Sequence, residues 1–269
     1  MNQYEFHDLN INTRGEPNWL PPEAMYIVRN GVGTPLEDLI QGYQTLTVTG
    51  RELAAYKLNT SEVEGVDGSM YLDAAYPERE IEVTYQLIEK DDESFRAAYQ
   101  LLNQHLSEKQ FSFYFYDDDL YQWTGTVTEA ETPAAGSNRV KSTFKIICSD
   151  PFKRLRNPAI YHGTDVLTIA EPAYYPTVPD RMEVTLASDS KALTVTNGRQ
   201  TITLSGGFKA GDKVAFMFGD DATITLNGEP AINLLDLTSD FDNFAVKQDD
   251  KVTASPASAL SLELRRKEL

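Results

Sequence analysis

Three histidines, one cysteine and two short acidic runs are the residues whose types could do chemistry in this chain of 269 residues. His7, His105 and His162 are scattered, and none has the His-x-x-x-His spacing that would aim two imidazoles at one metal ion. Cys148 has no histidine near it in sequence, and its neighbours are apolar. It reads as a small apolar residue in a buried strand, not as a reactive thiol. Asp117, Asp118 and Asp119 could hold Ca²⁺, as could Asp220 and Asp221. Both runs fall at expected hairpin tips, where Asp is favoured because it stabilises turns. The alternating acids, central Gly and distal Glu of an EF-hand loop are absent. A glycosidase needs two carboxylates a few ångströms apart, and among 41 acidic residues nothing selects such a pair. There is no Gly-x-Ser-x-Gly elbow and no phosphate-cradling glycine loop with a lysine. The expectation is a protein that is not an enzyme and carries no catalytic residues, metal or cofactor.

Charge narrows the partners. Residues 1–150 hold 11 Lys+Arg against 25 Asp+Glu, a net of −14, and residues 151–269 hold 13 against 16, a net of −3. A strongly acidic first half is unsuited to gripping nucleic acid, which needs cations to neutralise phosphates, or to seeking an anionic membrane. The lone cysteine excludes an intrachain disulfide and suits folding in a reducing cytoplasm. The polar, acidic start of the chain lacks the basic residues and apolar run of a signal peptide. No apolar run approaches the roughly 20 residues of a membrane helix.

The elements that would position these residues are mostly strands. Phe144, Ile146 and Cys148 alternate with Lys145, Ile147 and Ser149, and Pro151 must end that strand because it has no N–H to donate. The length suits two domains, 1–150 and 151–269, each able to bury its own core. In residues 80–87, Ile81, Val83, Tyr85 and Leu87 share one face and Glu80, Glu82, Thr84 and Gln86 the other, the pattern of a half-buried antiparallel strand. Residues 45–49 also alternate. The aromatic run 111–116 pairs with 122–128 as a hairpin across the three aspartates. One helix is expected over 92–106, where Phe95, Tyr99, Leu102 and Leu106 recur at helical spacing, with Ala98 and Leu101 beside them. Asp91, Asp92 and Glu93 sit where the helix dipole favours acids.

Residues 51–79 behave differently. A glycine-bounded turn at 65–68 separates two arms of weak alternation, which suits a long hairpin leaving its own domain and, from composition alone, a surface loop equally well. The second half is nearly all β, with short strands at regular spacing. Asn197 and Gly198 form the dipeptide of a type I′ hairpin, and Asn227 and Gly228 mark another tight turn. This spacing suggests a β-sandwich.

The order of these pieces resembles the distal tail protein family of long-tailed, non-contractile phages. The residues that carry the resemblance are 35–37, 42–52, 67–72 and 76–81, then Phe95, Tyr99, Leu101, Leu102 and Asn103, then 123–125 and 148–153. In the second half they are Tyr175 and Pro176, 193–198, Gly211 and Asp212, and 239–241. The resemblance implies a mainly β chain of two domains. The first would be a β-sandwich-like, ring-forming domain with one α-helix and the hairpin arm, and the second a galectin-like β-sandwich. It implies a ring, usually of six copies, in which the arm embraces the neighbouring subunit. Leu53, Tyr56, Leu58, Val66, Met70, Tyr71 and Leu72 would lie in that interface.

The implied partners are the chain itself, the tail tube protein, and the tail-associated lysin or fibre protein. Receptor-binding proteins often dock on such rings. The genome would pass through the lumen without specific binding, and some of the excess acid, such as Glu62, Glu64 and Asp67, would line that lumen or face solvent. The place implied is the distal tail tip, or baseplate, of a virion assembled in a bacterial host's cytoplasm. The competing expectation is a carbohydrate-binding β-sandwich protein for host surface recognition. It would need Tyr174, Tyr175, Phe241 and Phe244 exposed on one concave face, and packing in the core or between domains is the favoured reading of the same four residues.

Overall fold

The computed structural model describes residues 20–65, 67–132, 136–219 and 221–269. His7 and Asp220, weighed above as candidate ligands, lie outside the described residues. The fold is mainly β and divides into two compact units between Pro151 and Phe152.

The first unit contains β1 (Met25–Arg29), β2 (Val32–Pro35), α1 (Leu36–Leu39), β3 (Tyr43–Thr49), β4 (Lys57–Ser61), β5 (Met70–Ala75), β6 (Arg79–Ile88), α2 (Asp92–Leu106), β7 (Phe111–Phe115), β8 (Tyr121–Ala130) and β9 (Arg139–Cys148). Its antiparallel sheet runs β2-β1-β7-β8-β9-β6-β3. β6 buries Ile81, Val83, Tyr85 and Leu87, and β9 buries Phe144, Ile146 and Cys148, so alternation sets which face turns inward. β7 is covered on both faces. Phe111, Phe113 and Phe115 enter the core, while Tyr114 stacks on Tyr26 with centroids 4.6 Å apart. The turn between β1 and β2 is Asn30 and Gly31, both at positive φ, a type I′ pair that hydrophobic patterning does not single out.

α2 begins where Asp91 accepts the N–H of Ser94 at 2.8 Å, which satisfies one orphan donor of the first turn. Ala98 and Leu102 are buried, with Phe95, Tyr99 and Leu106 packed at the margin of the core. Leu101 points away and is exposed. The Tyr99 hydroxyl meets that of Tyr85 at 2.9 Å, tying the helix to β6.

β8 joins the two halves of the sheet. Its start pairs β7 (Trp123 with Phe113, Gly125 with Phe111), and from Thr126 on it pairs β9 (Thr126 with Ile147). Strands that switch partners in this way make the corners of folded sheets. Gly125 sits at the handover. A Cβ there would lie 2.6 Å from Ile146 Cγ2 and 3.0 Å from both Cys148 Sγ and the Ile147 carbonyl. Gly125→Val is therefore expected to destabilise the first unit by roughly 1–3 kcal/mol or more through overpacking. Calorimetry checks this, and an unchanged melting temperature would show that the corner can relax.

The second unit adds β10 (Lys153–Leu155), β11 (Ala159–Thr164), β12 (Val166–Thr168), β13 (Arg181–Leu186), β14 (Ser190–Thr196), β15 (Thr201–Phe208), β16 (Lys213–Met217), β17 (Thr223–Leu226), β18 (Glu229–Pro230), β19 (Lys251–Ser255), β20 (Ser258–Leu264) and β21 (Lys267–Glu268). β10 pairs β21. The others form one antiparallel run, β15-β14-β19-β12-β11-β20-β13-β16-β17-β18. One face of that run lines a single core that includes Met182, Val184, Leu193, Val195, Phe216 and Leu262, so the sheet folds over on itself.

Two turns here differ in kind. Asn227 and Gly228 are both at positive φ between Leu226 and its partner Glu229, a true type I′ turn. Asn197 is not at positive φ, although Gly198 is, and the paired residues Thr196 and Thr201 leave a four-residue loop. The type I′ expectation at 197–198 is therefore corrected. The Asn197 side chain explains the difference, because its Oδ1 accepts the N–H groups of Arg199 (3.0 Å) and Gln200 (2.8 Å).

Arg199 in that loop grips Asp250 with two hydrogen bonds, 2.6 and 2.7 Å, and Lys247 N–H donates to the same carboxylate at 2.9 Å. Burial pushes the Asp250 carboxyl up, but Arg199 and the Lys247 amide outweigh it and hold the pKa below its ordinary value. A lowered native pKa stabilises the fold above the unfolded value near 3.9 and is lost as pH falls through the native one. Asp250→Asn is expected to cost about 1.5–3 kcal/mol at pH 7, the range for hydrogen bonds to charged groups. The gap in melting temperature from the parent should close as pH drops from 5 to below 3. A gap that persists at low pH would refute the charge assignment.

Candidate functional site

Among the described residues, no group of three or more His, Cys, Asp or Glu is placed to hold a metal. Asp117 instead accepts from Arg51, at the 3-10 turn Tyr116–Asp118 between β7 and β8. Burial pushes the Cys148 thiol up to about 12, so it is not a nucleophile at neutral pH. His105, at the end of α2, takes Arg29 Nη1 at 3.0 Å on its Nδ1, and burial and that cation lower its pKa. This is a structural contact between the helix and β1. Of the four aromatics a sugar platform would need, Phe241 and Phe244 are core residues, 4% and 0% exposed, packed on Phe218. Tyr175 leans on Phe152, and only Tyr174 stands out in solvent.

The feature that no core absorbs is the hairpin of β4 and β5. It forms a two-stranded sheet of its own and hydrogen-bonds to no other strand. Tyr56 and Tyr76 stack across its base at 4.0 Å. Leu53 is 99% exposed and Tyr71 62%, and Tyr56, Leu58, Met70 and Leu72 are each more than half exposed. Val66 lies outside the described residues. The structure thus brings six of the seven expected interface residues onto one protruding arm. An isolated two-stranded hairpin is marginally stable in water at best, so this surface gains most by packing on another body.

Two arginines fix the arm's root. Burial alone would lower the pKa of Arg51, but Asp117 and Glu23 raise it above its ordinary value. Arg51 donates to Asp117 at 2.7 and 2.9 Å and to Glu23 at 2.8 Å, and its guanidinium lies 4.6 Å from the Phe115 ring centroid. Arg79 is 7% exposed. Its Nη1 donates to the carbonyls of Gly50 (3.0 Å) and Glu52 (3.2 Å) and its Nε to that of Pro151 (3.1 Å), while its guanidinium lies 5.0 Å from the Trp123 centroid. Gly50 has φ +91, and a Cβ there would sit 2.0 Å from the Glu80 carbonyl oxygen, so only glycine fits. Sequence reasoning did not find this clamp. The only signal was an arginine at each end of the 51–79 segment.

Comparison with known proteins places both units. Residues 33–148 match the phage tail protein RIFT-related domain, and residues 173–265 match the siphovirus-type tail component, C-terminal domain. The solved Dit protein of phage SPP1, described as a paradigm of the hub adsorption apparatus of phages infecting Gram-positive bacteria, superposes with a TM-score of 0.72 at 18% identity. That match covers 91% of this chain and 99% of the other. Chains of the phage p2 baseplate in its activated conformation, with Sr and with Ca, give TM-scores of 0.47 and 0.48 at 7% and 8% identity, each covering 90% of this chain and 97% of the other. No curated protein matches the chain.

Proposed function

The chain belongs to the siphophage distal tail protein family, and from that premise we propose that it forms the hub ring at the far end of a long, non-contractile phage tail. The observation that carries this reading is the arm: a protruding hairpin, clamped at its root, that exposes Leu58, Met70, Tyr71 and Leu72 to nothing in its own unit. Head-to-tail contacts of this kind close into a ring when the rotation between copies fits. The ring has six copies. It joins the tail tube protein on one side to the tail-associated lysin or fibre protein on the other, and receptor-binding proteins attach around it. The first unit, 1–150 in the sequence division, makes the ring, and the second, a galectin-like sandwich, faces outward. The genome crosses a lumen whose acidic character repels phosphate, since residues 1–150 carry a net −14. The protein acts at the distal tail tip of the virion and is made in the host cytoplasm. The reading is structural, not catalytic, in keeping with the tail-component families matched.

Light scattering and electron microscopy of the purified protein test it. A ring has a mass several times the 30.1 kDa of one chain. A monomer at micromolar concentration, alone and with its tail partners, would end this proposal.

A further inference from the structure

We propose that the acidic tip of the arm docks on Arg139 and Lys141 of the neighbouring copy, at the far end of that copy's β6–β9 face. The inference rests on the ring reading and adds to it the surface that receives the arm.

The outward face of the first unit's sheet is graded in charge. Directly paired residues share a face, so Glu80, Glu82, Thr84 and Gln86 of β6 stand beside Ile147, Lys145, Thr143 and Lys141 of β9, with Arg139 opposite Ile88. At the end where the arm leaves, Lys145 is held by Glu80 (3.0 Å) and Glu129 (3.5 Å). At the other end, Arg139 and Lys141 are exposed. Among the described residues, neither side chain forms an ion pair, although Glu89 and Glu131 are tied by backbone bonds to the adjacent Asn138 and Thr143. In a chain of net charge −17, two adjacent unpaired cations on a sheet face are a place for an acidic partner.

The arm tip supplies the complement. Glu62, Glu64 and Asp67 flank Gly65 and are exposed. Within one copy the arm leaves from the opposite end of the sheet face, beside Glu80 and Glu82, which is a poor surface for an acidic tip. The reach also suits a neighbour. From Gly50 to Gly65 an extended chain spans up to about 50 Å, whereas β6 from Arg79 to Ile88 is about 30 Å long, so an arm rooted beside one end of a neighbour's face can cross it. These acids then serve assembly and not the lining of a lumen.

A charge swap tests this in the full-length protein. Glu62→Lys, Glu64→Lys and Asp67→Lys together should raise the concentration at which rings dissociate by roughly tenfold or more, as should Arg139→Glu with Lys141→Glu. Combining both sets should restore dissociation to within about threefold of the parent, because the interaction term belongs to the pair. Below the concentration at which rings form, each variant's melting temperature should match the parent's, since all five side chains are exposed in the single chain. Tip reversal that leaves rings unaffected would overturn the docking while the parent ring still stands. So would a loss of rings that the swap fails to rescue. A parent protein that never forms rings removes the premise and the docking with it.

Discussion

Deleting residues 58–70 is expected to leave a protein that folds and no longer forms rings. The deletion removes most of β4, the tip and the start of β5, whose side chains are almost all exposed. Little buried apolar area is lost, so the stability of the first unit should change by no more than about 0.5 kcal/mol, the usual range for exposed sites away from special features. The chain can reconnect without strain. Lys57 pairs with Ala75, which leaves residues 71–74 as a four-residue connection of ordinary hairpin length. The root survives, because Gly50, Arg51 and Arg79 are all retained. What disappears is Leu58, Met70 and the tip, each of no use within the copy that carries it. Full burial of one such apolar side chain is worth about 1.5–3 kcal/mol, and each is repeated at every contact around a closed ring. Mass measured by light scattering should fall from ring to single chain, while the melting temperature should match that of the parent diluted to single chains. A large drop in melting temperature would show instead that the segment belongs to its own core, and persistent rings would show that assembly runs through another surface.

How much of this was legible in the sequence depended on how local the cause was. α2 was legible because its apolar stripe and the Asp91 cap lie within one short segment. β6 and β9 were legible because period-two alternation survives wherever one face is buried and the other wet. The arm was only half legible, since apolar residues without the periodicity of a core element, as in 51–79, fit a surface loop as well as a hairpin, and the family resemblance decides between them. The sheet order was not, because it depends on long-range pairing that no local pattern encodes. The two halves of the first sheet are joined by β8, which changes partner after Gly125. Packing is the favoured expectation for Phe241 and Phe244, and both rings are buried, at the start and just past the end of the 3-10 turn Phe241–Asn243. The Asn197 turn followed its side-chain hydrogen bonds and not its dipeptide. The root clamp was the least visible feature. Arg79 draws its partners from 29, 27 and 72 residues away, and in sequence it is one arginine among acids.

That clamp carries the second large effect. Arg79→Met keeps the apolar stem and most of the volume but removes the charged donor that the Gly50, Glu52 and Pro151 carbonyls share. Arg79 itself is only 7% exposed, so the three carbonyls lose a sheltered donor together. Burial lowers the pKa of Arg79, and its Nη2 is buried without a hydrogen-bond partner, so the cation depends on these carbonyls and on the Trp123 face. Hydrogen bonds to charged groups are worth about 1.5–3 kcal/mol, and the loss of this set should cost the first unit roughly 2–4 kcal/mol. Arg79→Lys should fall between the two, because one ammonium keeps the charge but cannot span three acceptors as a planar fork does. The variants should also loosen the arm. Amide hydrogens of residues 50–56 should exchange faster in Arg79→Met, and ring yield should fall even at temperatures where the first unit stays folded, since a hinged arm must lose more entropy on docking. If Arg79→Met melted within about 0.5 kcal/mol of the parent and its arm amides exchanged at the parent rate, the root would be held by Gly50 and Arg51 alone.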